Sequence, residues 1–513
     1  MRHRPLIACL LSCAAACIFP PAAPAAPIPA RVFSDHMVLQ RDMRAPVWGW
    51  AAPGETVTVS FKGQTVSATA DSGGRWRVDL APLPASAEPA QMRITGDRDT
   101  GGGGVVISDI VVGDVWLCSG QSNMEWQVSR SDNAAAEIAA ADFPLIRHFE
   151  VSREPVTMEP KKTYDKWMVC SPATAGDFTG IGYYFARDIF RRHNVPVGLV
   201  NSSWGGTGIE TWMSEHAILA DRSFRITFYK WIEEITAYPE RLAAYDRALA
   251  NWKSDAAKAG AAGKKFAKQP PRPPESLYGQ NKPARLFSAM IAPVIPCALK
   301  GAVWYQGEHN AGRPDGYGAL LSAMLRDWRA RWGQGDFPFV IMQLPNYKSG
   351  DASSIKWARL REEQERVAKT EPNTELVVMI DLGNPDDVHP TNKLEAGLRL
   401  ARTVRARVYG EPIEHMGPAF ARAEAEGAGM RVHFSHADGL HAKGGGPAPG
   451  FEIAGADREF VWAPARIEGA TVYISSPKVA KPVAVRYAWR NAPETDLYNK
   501  AGLPAAPFRT DDW

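Results

Sequence analysis

The stretch that decides the fold is Val111–Ser122, which reads VVGDVWLCSGQS. Its first part, Val111–Cys118, is apolar and rich in β-branched and aromatic side chains, which predicts a short buried strand. Ser119-Gly120 interrupts the apolar run, so Ser122 is expected on a turn at the carboxyl end of that strand. In open α/β sheets, functional crevices form beyond the carboxyl ends of the strands. The sequence therefore predicts that Ser122 lies at such a crevice.

Apolar segments of strand length alternate with amphipathic segments from Val105 to about Gly410. The predicted strands are Val197–Val200, Ala302–Tyr305, Phe339–Gln343 and Leu376–Ile380, and the predicted helices are Asp177–Arg192, Gly318–Trp332 and Lys393–Val408. Strands that alternate with helices pack as a parallel sheet covered on both faces. We therefore predict a three-layer α/β/α domain over residues 105–410.

Two β-rich modules are predicted on either side of this domain. In residues 26–104, short alternating segments are separated by turns such as Pro53-Gly54, which is typical of a small β-sandwich. Gly101–Gly104 is then either a flexible joint or the tip of a hairpin inside the same module. Strand-like segments return over residues 411–513, which predicts a β-rich C-terminal module.

An insertion interrupts the central domain at about residues 217–281. Ala243–Lys268 is rich in alanine, lysine and aspartate, and the prolines of Pro270–Pro274 end any helix there. This composition favours a solvated, helical surface insertion with a mobile proline-rich exit over a dedicated binding element.

The N-terminus has the pattern of a secretory signal peptide over residues 1–25. Arg2–Arg4 is positively charged, Pro5–Phe19 is apolar but too short to span a bilayer, and Ala23-Pro24-Ala25 is a small-residue cleavage site. We expect export to the periplasm or secretion, with a lipoprotein as the less favoured alternative. After cleavage Cys118, Cys170 and Cys297 remain, which allows at most one disulfide bond.

Size and charge narrow the class of protein. A chain of 513 residues is long enough for two or three domains. Its net charge of +3 is close to neutral for this length, so nothing indicates nucleic acid or a membrane surface as a partner. Three histidines of the C-terminal module, His433, His436 and His441, are interpreted as scattered surface residues and not as a metal site.

Asn201–Thr207 is the second polar block that follows a predicted strand. Gly205-Gly206 lets the backbone approach a ligand closely, and an amide there could bind a developing oxyanion. The alternative is an ordinary turn between a strand and a helix.

Trp304–Asn310 is the third such block. Gln306 or Asn310 could donate a side-chain amide to an oxyanion, and Glu308 could orient a histidine. His309 is a rival candidate for the base, although a neighbour of this kind more often lines a cleft.

Asp381–Pro390 is the fourth block and supplies the base. A serine hydroxyl needs a base within hydrogen-bond reach, and a histidine base needs an acceptor on its other nitrogen. His389 is the candidate base, with Asp386 and Asp387 close in sequence. Either aspartate could instead cap the turn.

Together the four blocks resemble the SGNH-type hydrolases and, within them, the sialate O-acetylesterase family of carbohydrate esterases. The matching segments are Arg31–Arg41, Gly113–Trp116, Gln121–Trp126, Asn201–Thr207, Trp304–Asn310, His389-Pro390 with Asn392-Lys393, Gly502–Pro504 and Pro507–Thr510. The resemblance implies that Ser122 is the nucleophile and His389 the general base. It also implies an oxyanion hole formed by the amides of Ser122 and Gly206 with a side-chain donor from the third block. Gln121 and Trp204, within the matching segments, are further candidates for substrate binding.

The motifs leave open which acid orients His389. SGNH hydrolases in general place an aspartate three residues before the histidine, which is Asp386 here. Proteins similar to sialate esterases place it two residues before, which is Asp387, and some related acetylesterases use the glutamate of the third block, Glu308. We rank Asp387 first, Glu308 second and Asp386 third.

The resemblance implies a serine esterase that removes O-acetyl groups from carbohydrates without a metal or cofactor. The binding partner is then an O-acetylated sugar. Two other functions remain open, namely an acetyl xylan or xyloglucan esterase and a noncatalytic carbohydrate-binding protein on the same scaffold. Because Met124–Trp126 and Trp304-Tyr305 bracket the predicted nucleophile and oxyanion donors, we expect them to narrow the acyl pocket to the size of an acetyl group. The alternative is that these rings belong to the core.

Overall fold

The computed structural model describes residues 26–99, 104–153, 165–274, 276–277, 279–350 and 354–513. The predicted signal peptide and Gly101–Gly103 lie outside these residues.

The N-terminal module consists of strands that lead into the central strand of the molecule. They are β1 (Ile28–Pro29), β2 (Val38–Gln40), β3 (Ala45–Trp50), β4 (Thr56–Phe61), β5 (Gln64–Thr69), β6 (Arg75–Leu80), β7 (Ser86–Gly96) and β8 (Val105–Gly120). Strands β1, β3 and β6 form one sheet, whereas β4, β5 and β7 join a second sheet through β8. Strands β7 and β8 pair antiparallel, with Ile94 opposite Val105. The strands on either side of Gly101–Gly103 are therefore antiparallel neighbours.

The central domain carries the following elements in chain order. They are α1 (Ser122–Glu125), α2 (Ala134–Ala139), β9 (Phe143–Glu150), β10 (Trp167–Cys170), α3 (Gly180–His193), β11 (Val197–Ser203), α4 (Ile209–Trp212), α5 (Glu215–Ala220), α6 (Arg222–Ala261), β12 (Gly301–Tyr305), α7 (Tyr317–Trp332), β13 (Phe339–Met342), α8 (Lys356–Thr370), β14 (Thr374–Val377) and α9 (Lys393–Arg407). The strand order is β10-β9-β11-β8-β12-β13-β14. Every neighbouring pair is parallel except β9 and β10, which are antiparallel at the edge. The predicted parallel sheet is confirmed, with one antiparallel edge strand added.

Helices cover both faces of this sheet. Trp116 of β8 contacts Phe185 of α3, with ring centroids 5.2 Å apart. Trp304 of β12 contacts Trp328 of α7 at 5.7 Å and is in register with Ser119. Since side chains alternate along a strand, Ser119 and Trp116 point to opposite faces of β8. Helices α3 and α7 therefore lie on opposite sides of the sheet, and the predicted α/β class with three layers is confirmed.

Strand β8 belongs to two structural units. Its first half pairs with β7 and β2, and its second half pairs with β11 and β12. The buried residues of the N-terminal module and the central domain form one continuous hydrophobic cluster. Ser122 follows directly from this strand, so both units support the position of the site.

The C-terminal module has a hydrophobic cluster of its own. Its strands are β15 (Ala419–Glu426), β16 (Gly429–Ser435), β17 (His441–Ala442), β18 (Phe451–Ala454), β19 (Val461–Trp462), β20 (Ala465–Glu468), β21 (Thr471–Ser475), β22 (Ala484–Tyr487), β23 (Leu497–Tyr498) and β24 (Phe508–Arg509). They form two four-stranded sheets and a two-stranded ladder. The β-rich character predicted for residues 411–513 is thus present.

The insertion is dominated by one long helix. Helix α6 begins at Arg222, well before the alanine-rich segment that starts at Ala243, and ends at Ala261. The side chains of Phe224 and Phe228 are buried and anchor the early turns of this helix to the core. Among the described residues, no helix is both long and apolar enough to cross a bilayer. Cys118, Cys170 and Cys297 are buried free thiols, so the allowed disulfide bond is not formed.

Candidate active site

The turn after β8 presents Ser122 at the carboxyl edge of the sheet. Gly120 has φ +135°, and a Cβ there would lie 2.1 Å from the carbonyl oxygen of Tyr305. Only glycine fits this close approach of two backbones. Ser122 is the first residue of α1, and its Oγ lies 2.8 Å from Nε2 of His389. The fold thus brings together two residues that are 267 positions apart in the chain.

Contacts on several sides hold His389 in this position. The Trp126 ring stacks on the imidazole, with centroids 5.1 Å apart and an angle of 22° between the planes. The backbone N–H of His389 donates to Asp387 Oδ1 at 2.9 Å. Burial lowers the pKa of His389, and it outweighs the opposing attraction of Asp387. The imidazole is therefore neutral at neutral pH, which is the form that accepts a proton from a hydroxyl.

The three candidate acids occupy different places. Asp387 Oδ1 lies 3.7 Å from Nδ1 of His389, whereas Asp386 is exposed and pairs with Lys348 at 3.1 Å. Glu308 is half-buried and accepts a hydrogen bond from Asn123 Nδ2 at 2.6 Å. Asp387 is thus the carboxylate that the structure places beside the second nitrogen of His389.

Glu308 belongs to a buried polar chain behind the site. Asn123 donates from Nδ2 to Glu308 and to the carbonyl of Val388, and its Oδ1 accepts from Lys393 Nζ at 2.7 Å. Burial raises the pKa of Glu308 and lowers the pKa of Lys393 to about 7. This series of hydrogen bonds connects the turn that carries Ser122 to the loop that carries His389. Sequence reasoning did not give Asn123 or Lys393 a role, although both lie in segments that carry the resemblance.

The backbone amides of Ser122 and Gly206, which the resemblance places in an oxyanion hole, lie on two neighbouring turns. A Cβ on Gly205 would lie 3.1 Å from the Cβ of Ser122, so the two turns are in direct contact. Within the described residues no acceptor receives a hydrogen bond from the amide of Ser122 or of Gly206. The Gly205 amide, in contrast, donates to Glu125 Oε2 at 2.6 Å.

Gln306 and Asn310 are used within a buried network. Gln306 Nε2 donates to the Thr207 carbonyl at 3.0 Å and to Asn310 Oδ1 at 2.8 Å, and its Oε1 accepts from Tyr317. Asn310 Oδ1 also accepts from the Ile209 amide at 3.0 Å. Both residues therefore hold the backbone behind the glycine turn, and Gln306 has no spare amide hydrogen for a ligand.

Gln121 has the opposite distribution of partners. Its Oε1 accepts from Gln306, from the Gly307 amide and from the His309 amide at 3.2 to 3.5 Å. Three donors around the oxygen fix the orientation of the amide. Its nitrogen donates to no acceptor in the part of the chain that the structure describes, so Gln121 is the side-chain amide of this set with hydrogens to offer.

Trp204 lies at the start of the glycine turn. Its backbone amide donates to the Gly120 carbonyl at 3.1 Å, and the guanidinium of Arg153 lies 5.1 Å from its ring centroid. Arg153 also bonds Glu125 Oε1 at 2.5 Å. Glu125, which sequence reasoning passed over, therefore connects the serine turn to the glycine turn.

The expectation about the acyl pocket is wrong for three of the four bulky residues. Met124, Trp304 and Tyr305 are fully buried, and Trp304 packs between Trp212 and Trp328. These side chains lie in the core and do not face an acyl group. Trp126 alone reaches the site, through its stacking on His389.

His309 and the three C-terminal histidines are not bonded to Ser122 in the described part of the chain. The ring of His309 lies against the glycine turn, beside Gly208 and the Gly206 backbone, and desolvation lowers its pKa. His433 and His436 bond Glu424 and Glu414, and His441 bonds the Gly439 carbonyl. In the residues that the structure covers, no group of three or more histidine, cysteine or acidic side chains could hold a metal ion.

Comparisons with known proteins identify the family. The family model described as "Carbohydrate esterase, sialic acid-specific acetylesterase" matches residues 112–243 and 255–406. The sialate O-acetylesterase of Mus musculus is 29% identical over 93% of both chains, and that of Homo sapiens is 28% identical over 93% of this chain and 91% of its own. The crystal structure of a carbohydrate acetylesterase from Xanthomonas citri has 36% identity, a TM-score of 0.77 and coverage of 95% of this chain and 100% of its own. These findings confirm the resemblance seen in the motifs. The chain belongs to the sialic acid-specific acetylesterase family of carbohydrate esterases and is a carboxylic ester hydrolase.

Proposed function

We propose that the protein removes O-acetyl groups from sugars through an acetyl-enzyme formed on Ser122. The observation that carries this proposal is the 2.8 Å hydrogen bond between Ser122 Oγ and His389 Nε2. A serine hydroxyl is a weak nucleophile until a neutral base takes its proton, and burial keeps His389 neutral. A noncatalytic sugar-binding protein would have no need of this pair.

In the first half of the reaction, Ser122 Oγ attacks the acetyl carbonyl carbon and its proton passes to His389 Nε2. The carbonyl oxygen becomes an anion, which the amides of Ser122 and Gly206 bind. The ester bond to the sugar then breaks, and His389 returns the proton to the departing sugar oxygen. The acetyl group remains on Ser122.

In the second half, water attacks the acetyl-enzyme and gives its proton to His389. The tetrahedral anion again lies against the two amides, and its collapse releases acetic acid and restores the proton to Ser122. In both halves His389 becomes positively charged, and the negative charge of Asp387 at 3.7 Å stabilises that form. We assign Asp387 as the acid of the triad.

An O-acetylated sialic acid is the substrate we propose, because the curated relatives named above are sialate O-acetylesterases. We further propose that the chain is exported to the periplasm or secreted, on the pattern of residues 1–25. Mass spectrometry of the mature N-terminus tests the export proposal.

The test of function compares acetate release from O-acetylated sialic acids, acetylated xylo-oligosaccharides and acetylated xyloglucan fragments. We expect the sialic acids to be the best substrates. Ser122→Ala should lower kcat by a factor on the order of 10⁶, as in other serine hydrolases that lose their nucleophile. Ser129→Ala, on an exposed serine nearby, is the matched control and should keep the activity. If Ser122→Ala keeps more than about a tenth of the rate, the serine mechanism is wrong.

A further inference from the structure

The turn that offers the Gly206 amide is made of two consecutive glycines. Glycine imposes almost no barrier to rotation of the backbone, and Gly206 has φ +69°. The peptide between Gly205 and Gly206 has no Cβ on either side to resist a flip. An amide that must meet an oxyanion therefore needs other contacts to hold its direction.

A side-chain hydrogen bond fixes each of the two peptides that flank the Gly205–Gly206 peptide. The Gly205 amide donates to Glu125 Oε2 at 2.6 Å, and the Gly206 carbonyl accepts from Asn281 Nδ2 at 2.8 Å. Asn281 also accepts from the Gly208 amide through Oδ1 at 2.9 Å. These bonds hold the path of the turn at both ends.

The peptide that carries the Gly206 N–H is fixed by Gln280. Gln280 Nε2 donates to the Gly205 carbonyl at 2.9 Å. In a trans peptide the C=O and the N–H point in opposite directions, so a bond that holds one also aims the other. The Gly206 N–H is left without an acceptor in the described part of the chain, on the side away from Gln280.

Gln280 is itself anchored on both sides. Its backbone carbonyl accepts from Thr211 Oγ1 at 2.7 Å, and two residues later Lys282 pairs with Glu234 of α6 at 2.7 Å. The composition of the insertion over residues 217–281 favours a solvated surface element. The end of the insertion nevertheless contacts the glycine turn beside the nucleophile.

We propose that Gln280 is a positioning residue that aims the Gly206 amide at the oxyanion, and that the end of the insertion serves the reaction in this way. The inference rests on the proposed role of Ser122 and Gly206. Loss of one oxyanion donor lowers kcat by about 10²–10³ in a serine hydrolase. Since Gln280 only directs the donor, we expect its loss to lower kcat by a factor between ~10 and 10³.

The test uses Gln280→Glu, which has the same shape but no hydrogen to donate, and Gln280→Ala. Both variants should lose kcat on p-nitrophenyl acetate with KM within about threefold of wild type, because the donor acts on the anion and not on the bound ester. A boronic acid, whose boron accepts the serine oxygen to form a tetrahedral anion, should bind more weakly by a similar factor. If Gln280 had a purely structural role, its replacement would instead lower the unfolding temperature, and kcat and the affinity for the boronic acid would not fall by the same factor.

Glu240→Gln is the matched control. It changes an exposed side chain of α6 in the same insertion without touching either glycine peptide or the Lys282 ion pair, and it should keep kcat within about twofold. The inference is overturned if Gln280→Ala keeps kcat within threefold, or if its loss appears only in KM. Ser122→Ala in the same assay separates the two proposals. Activity that survives in Ser122→Ala would refute the serine mechanism, whereas an inactive Ser122→Ala beside a fully active Gln280→Ala would refute this inference alone.

Discussion

Asp387→Asn tests which carboxylate supports His389. The substitution keeps the shape of the side chain and keeps an oxygen to accept the His389 amide, which Asp387 Oδ1 binds at 2.9 Å. It removes the negative charge that lies 3.7 Å from Nδ1 of His389. What changes is therefore the stability of the imidazolium that forms in the transition state.

The separation of the two charges gives the expected size of the effect. At 3.7 Å, a pair of unit charges interacts by about 1 kcal/mol in bulk water and by about 4 kcal/mol at an effective dielectric constant of about 20. The side chain of Asp387 is 55% exposed and that of His389 is 31% exposed, so solvent screens the pair in part. We expect kcat/KM to fall by about 10- to 300-fold, less than the ~10⁴-fold loss known for a buried triad aspartate.

Steady-state hydrolysis of p-nitrophenyl acetate across pH measures this effect. Because Asp387 raises the pKa of His389, its removal should also move the acid limb of the profile to lower pH. Asp386→Asn is the matched control: its exposed carboxylate pairs with Lys348, and its loss should change the rate by less than about twofold. A rate for Asp387→Asn within twofold of wild type, or a larger loss in Glu308→Gln, would refute the assignment of Asp387.

Three further outcomes follow from the geometry. Because burial lowers the pKa of His389, kcat/KM should hold down to a pH below the ordinary histidine value of about 6.5 and fall only as the pH drops through the lowered pKa; a midpoint above pH 7 contradicts this. Gly205→Ala would place a Cβ 3.1 Å from both Ser122 and Glu125, and should lower kcat more than it lowers the unfolding temperature, as kinetics and a thermal melt together show. Trp304→Ala should cost about 3–5 kcal/mol of unfolding free energy in urea titration, because the fully buried ring packs between two other tryptophans; a cost below 1 kcal/mol would show that the ring is not part of the core.

Short-range patterns in the sequence determined much of the architecture. The apolar run that becomes the second half of β8, the break at Gly120, and the alternation of strands and helices predicted a parallel sheet with Ser122 at its carboxyl edge. Each of these signals depends on residues that are neighbours in the chain: side-chain periodicity sets the strand, and Ser119-Gly120 interrupts it. The pairing of Ser122 with His389 was predicted from the motifs that the family shares.

Tertiary structure alone showed which side-chain amides are already bonded and which candidate carboxylate lies beside His389. Gln306 and Gln121 have the same side chain but different surroundings. The Nε2 group of Gln306 donates its hydrogens to acceptors in the core, whereas the Nε2 group of Gln121 has no acceptor among the described residues. Gln280 lies 75 positions from the carbonyl that it holds, and Asn123 lies 185 positions from Glu308. A hydrogen bond depends on distance and direction to within a few tenths of an ångström, and no local pattern in the chain encodes the place where two such distant segments meet.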